Sequence, residues 1–180
     1  MLAYHITVIV EQTNRINFEL NAMTSNNDAR EPQEKANALL NALQEVLGHT
    51  AAISKYFWPA RKGALYAQRG QQLRTVYGID DTSPLQNREV RNAIEHFDER
   101  LDKFMKSFPT GTIYPSYIGS RAKAEADSIC CFRAYFIDNQ VFRILDTEIH
   151  MPPILKEIGR IQELLGKQIA VGSRFSSSPP

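Results

Sequence analysis

A chain of 180 residues, 43% hydrophobic and 23% charged, is long enough to bury one sizeable core, and it reads as a single domain. A net charge of +1 argues against a large basic nucleic-acid platform, although a small local site stays open. The opening LAYHITVIV has no basic leader or small-residue cleavage site and is too short to span a bilayer, so a soluble, cytoplasmic protein without a membrane partner is expected.

From the start, Leu2, Ile6, Ile9, Thr13, Ile16, Leu20 and Met23 recur at alternating four- and three-residue steps, the spacing of one packed helical stripe. The β-branched run ITVIV competes locally as a strand signal. TSNNDAREP then breaks the pattern, with Pro32 suited to a first helical position. A second helix carries Ala36, Leu39, Leu40, Leu43, Val46, Leu47, Thr50, Ile53 and Phe57 on a broad apolar face and ends before Pro59. Two long helices joined by a short polar loop predict an antiparallel pair. A third, shorter helix is expected from Leu65 to Tyr77, closed by Gly78.

The next helix is predicted to begin at Ser83, with Pro84 at its first position and Gln86 completing a capping box. Val90, Ile94, Phe97, Leu101, Phe104 and Phe108 form its stripe, and Pro109 and Gly111 stop it. PTGTIYPSYIGS reads as a loop. SICCFRAYFI and QVFRILDT then predict a β-hairpin turning at Asp138-Asn139. Pro152 and Pro153 open a last helix bearing Ile154, Ile158, Ile161 and Leu165, which Gly166 ends; residues 167–180 read as a disordered tail. The adjacent Cys130 and Cys131 are poorly placed for an ordinary disulfide with each other and read as reduced, buried thiols.

On the Ser83 helix, a stripe facing the core leaves Arg91 on one flank and His96 on the other, with Asn92, Glu95 and Glu99 across the exposed arc. Asn92 and His96 are four residues apart and hence neighbours. RNAIEH, with Arg91, Asn92 and His96, resembles the Arg–polar–spacer–His signature of the HEPN family (higher eukaryotes and prokaryotes nucleotide-binding domains). The resemblance covers roughly the first 108 residues and implies a mostly α fold, a HEPN-like antiparallel helical bundle. The C-terminal hairpin and final helix, within 109–166, would be an elaboration of a single 1–166 domain.

The resemblance implies a metal-independent endoribonuclease without cofactor, acting on RNA as a homodimer through the motif helix. The implied setting is a bacterial toxin–antitoxin or phage-defence system, with an antitoxin protein as a further partner. In that reading His96 moves a proton at neutral pH and Arg91 steadies phosphate charge, while Asn92 or Glu95 orients the ring or the substrate. Because Arg91 and His96 point roughly 140° apart on one helix, a second copy is needed to bring both to one phosphate. Glu95, Asp98, Glu99 and Asp102 oppose anion binding there. Arg100 and Lys103, and upstream Arg69, Arg74 and Arg88, are the offsetting cations, the last three without an assignable position.

Three alternatives accompany this reading. Arg91, Glu95 and Glu99 would form an ordinary solvated ladder in a non-catalytic helical module that dimerises or binds a protein. Glu45 and His49 on the second helix could converge with His96, Glu95 or Glu99 on a metal. Tyr56, Phe57 and Trp58 could stack on a base but are assigned to the core; His5 and His150 are assigned no chemistry.

Overall fold

The computed structural model describes residues 1–24, 30–89, 92, 96–107, 113–127 and 129–171. Helices α1 (Leu2–Thr24) and α2 (Pro32–Phe57) run antiparallel, with His5 meeting His49 at one end and Lys35 reaching Ala22 at the other. The periodicity of α1 outweighs its local β-propensity because Ile6, Ile9 and Ile16 all find places in the core. Leu39, Leu40, Leu43, Val46, Leu47, Ile53 and Phe57 of α2 are buried against them. Near the α1–α2 turn, the buried Glu19 carboxylate accepts two hydrogen bonds from Arg30, at 3.0 and 2.8 Å. The pair satisfies a charge that would be costly to bury alone.

Helix α3 (Ala64–Tyr77) ends as expected at Gly78, whose left-handed φ of 57° requires little strain in glycine. The predicted helix from Ser83 is interrupted. Ser83 accepts from the Leu85 N–H, but the result is a short 3-10 turn, Pro84–Gln86, and Asn87 leaves helical geometry at ψ 111°. The capping box does not form: the Gln86 amide reaches Asp81 instead. Asn87 then offers its side-chain oxygen to the Glu89 N–H at 2.8 Å, starting a second helical segment. Helix α4 (Phe97–Ser107) buries Phe104, whereas Phe97 is 37% exposed. Val90, Ile94, Phe108, Pro109 and Gly111 of the predicted stripe and stop lie outside the described residues.

The C-terminal part forms a four-stranded sheet ordered β1-β2-β3-β4, where a hairpin is expected. Strands β1 (Ile113–Gly119) and β2 (Cys130–Phe136) are parallel, connected through α5 (Arg121–Ala126). Strands β3 (Val141–Ile144) and β4 (Thr147–His150) extend the sheet antiparallel. Pro115, which makes TIYPSYIGS read as loop, is accommodated on an edge strand, where its missing N–H leaves fewer ladder bonds unmade. The Asp138-Asn139 turn is longer than expected, because Phe136 pairs with Val141 and the connection spans Ile137–Gln140. The two-residue turn is instead Leu145-Asp146, joining the paired Ile144 and Thr147, with Leu145 at φ 54°.

Helix α6 (Met151–Val171) closes the core. Ile154, Ile158 and Ile161 join residues of α1, α2 and the sheet in one apolar cluster. Its Arg160 donates to Tyr77 O at 2.7 Å and pairs with Glu157, which in turn accepts from Ser83. The helix continues through Gly166, where it is expected to stop, since the surrounding sequence keeps its helical pattern and nothing lies near that glycine. Residues 172–180 of the expected tail lie outside the described residues. The whole is mostly helical with a small C-terminal sheet, and no described helix is long and apolar enough to cross a membrane.

Candidate functional site

The His96 N–H donates to Asn92 O at 3.0 Å, and the Arg100 N–H donates to His96 O at 3.2 Å. Asn92, His96 and Arg100 therefore follow one another at the spacing of one helical turn, as the sequence predicts. Both Asn92 and His96 are exposed. The His96 Nδ1 lies 3.7 Å from Glu99 Oε1, an ion-pair distance for a protonated ring and too long for a hydrogen bond. Arg91 and Glu95 lie outside the described residues.

The neighbouring cations are committed differently than the sequence implies. Arg100 turns to Asp146 in the β3–β4 turn, at 3.2 Å, which fastens α4 to the sheet. Lys103 lines a cavity of about 700 Å³ together with Cys130, Cys131, Arg143, Asp146 and Glu148. Both cysteines are free thiols; Cys131 is buried and Cys130 half-buried. Burial, reinforced by the adjacent Cys131 and opposed by Arg143, pushes the Cys130 thiol above its ordinary range, which favours an unreactive, protonated sulfur. Arg143 donates to Cys131 Sγ at 3.5 Å and packs on the Phe136 ring. A hydrogen bond from Arg121 holds the Glu148 carboxyl below the usual range despite partial burial. The lining is a mixed set of charges, and its carboxylates Glu125, Asp146 and Glu148 are paired with Arg121 or Arg100 from outside it.

The Glu45–His49 metal arrangement is not formed. His49 Nδ1 meets His5 Nδ1 at 2.8 Å in a ring cluster with Tyr4 and Tyr56, while Glu45 faces outward. One imidazole must donate and the other accept, so a single proton sits between the two Nδ1 atoms and the accepting ring is neutral. Burial, followed by His49 and the N-terminal amine, lowers the affinity of His5 for a second proton. Among the described residues, no group of three or more His, Cys, Asp or Glu side chains could hold a metal.

The aromatic segment divides. Phe57 is core, as expected, whereas Trp58 is only half-buried and forms a wall of a second cavity with Arg61, Lys62, Arg74 and Arg88. Sequence reasoning leaves Arg61 and Lys62 unremarked, and Arg74 and Arg88 without a place. The available signal was two consecutive cations, Arg61 and Lys62, one residue beyond the breaker Trp58-Pro59.

Comparison with protein-family models, curated proteins and solved structures finds no match.

Proposed function

We propose that the chain is a metal-independent endoribonuclease of the HEPN type, working as a homodimer through the helix that carries RNAIEH. The observation that carries the reading is the exposed His96 imidazole, one turn after Asn92 and beside the Glu99 carboxylate. His96 would accept the 2′-hydroxyl proton as that oxygen attacks the adjacent phosphorus, or return a proton to the leaving 5′-oxygen. Arg91 from the facing copy would neutralise charge growing on the phosphate, and Asn92 or Glu95 would orient the reactants. The products are a 2′,3′-cyclic phosphate and a free 5′-hydroxyl.

Dimerisation is supported by the surface next to the motif. Phe97 is 37% exposed and Met105 is 45% exposed, and with the half-buried Leu101 they fall at four-residue steps along α4. A second copy laid against that stripe would cover apolar surface and bring the two RNAIEH segments toward each other. The same stripe favours a second reading, a non-catalytic helical module that uses this face for a protein partner. The toxin setting, with an antitoxin covering the site, belongs to the first reading and rests on the motif.

The test is incubation of purified protein with mixed RNAs in chelator, beside His96→Ala and Arg91→Ala. Cleavage leaving cyclic phosphates, and lost in both variants while their melting curves are unchanged, is expected. Absence of cleavage by the parent dimer, or its persistence in His96→Ala, would leave only the interaction module.

A further inference from the structure

Pro59 stops α2, and the chain crosses Ala60–Gly63 before α3 starts. That crossing carries Arg61 and Lys62 to one side of a cavity of about 820 Å³. Arg74 from α3 and Arg88, just beyond Asn87, line the same cavity, with Trp58 as its aromatic wall. Four cationic side chains thus gather on a protein whose net charge is only +1.

Their states differ in a telling way. Arg74 is fixed: it donates to Phe57 O and to Gln71 Oε1, and its guanidinium lies 5.7 Å from the Trp58 ring centroid. Arg61, Lys62 and Arg88 are exposed, and none forms an ion pair with another described residue. Asp81, the carboxylate touching this wall, is engaged by Trp58 Nε1 at 3.1 Å and Gln86 Nε2 at 3.2 Å. Tyr66 continues the surface along α3, with Arg61 5.2 Å and Arg69 5.8 Å from its ring centroid. Cations alternating with partly exposed aromatic rings in a concave site match a strand whose phosphates and unstacked bases are both accessible. A stacked duplex offers its phosphates but not its base faces.

We propose that this cavity binds single-stranded nucleic acid, with phosphates on Arg61, Lys62 and Arg88 and a base against Trp58. Arg74 acts by holding the indole in place. The site extends the ribonuclease reading by giving the strand a hold apart from His96, which does not line the cavity. It requires no cleavage.

Binding is measured with the full-length His96→Ala protein in chelator, using a labelled oligouridylate of about 12 nucleotides and fluorescence anisotropy. Three phosphate contacts on a single strand give a log–log salt slope of about −2, hence roughly 15-fold weaker binding between about 50 and about 200 mM salt. Trp58 is the chain's one tryptophan, so its quenching reports occupancy of this wall directly. Arg61→Gln/Lys62→Gln/Arg88→Gln should lose about 10-fold or more in affinity and flatten the slope. Arg15→Gln/Lys123→Gln/Lys167→Gln, which removes the same charge from exposed positions elsewhere, should keep both.

No binding, equal losses in the two triple variants, or binding without Trp58 quenching would each overturn the site. So would equal competition by duplex RNA or polyglutamate. Tight, quenching binding together with an inert parent enzyme would support the cavity and overturn the ribonuclease reading alone.

Discussion

Gly70 offers a sharp test of how α3 is seated, because two effects of known sign oppose each other there. It is a buried helical residue, and a methyl group at its Cα would lie 2.7 Å from Phe57 O and 2.7 Å from Pro59 Cδ. Gly70→Ala should gain about 1 kcal/mol from helix propensity. Against this stands overpacking of about 1–3 kcal/mol, since a backbone carbonyl and a proline ring cannot rotate aside. Phe57 O also accepts from Arg74, and displacing it weakens that hydrogen bond by about 1 kcal/mol. The net expectation is destabilisation of about 2 kcal/mol, or a fall in Tm of about 4–8 °C for a chain of this size. Thermal melting followed by far-UV circular dichroism reads it. Gly159→Ala in α6, with nothing within 4 Å, isolates the propensity gain and should raise Tm by about 2–4 °C. A Gly70→Ala protein at least as stable as its parent would refute the close packing of α3 on the end of α2.

Arg30→Ala removes both hydrogen bonds from Glu19, whose side chain is 3% exposed, and should cost about 2 kcal/mol in urea denaturation. Adding Glu19→Leu should recover most of that loss; a single variant within about 0.5 kcal/mol of the parent would contradict a charge-dependent contact. His5 gives a pH dependence. Burial, His49 and the N-terminus hold its folded pKa below the ordinary 6.5, so its contribution is full above that value and declines as pH falls from it toward the folded pKa. Denaturation midpoints at about pH 7.5 and about pH 5.5 should differ less in His5→Phe than in the parent, and an unchanged difference would remove His5 as the source.

The helices were legible where a single apolar stripe dominated the sequence. Ile6, Ile9 and Ile16 in α1, and Leu39 through Phe57 in α2, kept both their period and their burial. Gly78 was legible for a different reason: its backbone angle is one that other residues resist. Local signals failed where tertiary pairing decided the outcome. Ser83, Pro84 and Gln86 look like a long helix start, yet Glu157 takes the Ser83 hydroxyl and Asp81 takes the Gln86 amide, and Asn87 restarts the helix. Strand β1 carries a proline and was hidden because its parallel partner lies beyond α5. Of the candidate site, the Asn92–His96 spacing was readable from helical geometry. The convergence of Arg61 and Lys62 with Arg88 was not, since it depends on a bend at Pro59 and a break at Asn87.

The position of α6 has a consequence for synthesis. Ile154, Ile158 and Ile161 seal a core that α1 and α2 begin, so roughly a hundred residues separate the opening pair from its cover. At translation rates of about 5–20 residues per second, the nascent chain spends roughly 5–20 s with that apolar surface uncovered on the ribosome. Slow decoding between α2 and α6 would lengthen this interval and favour capture by chaperones or aggregation, without altering a single residue of the finished protein.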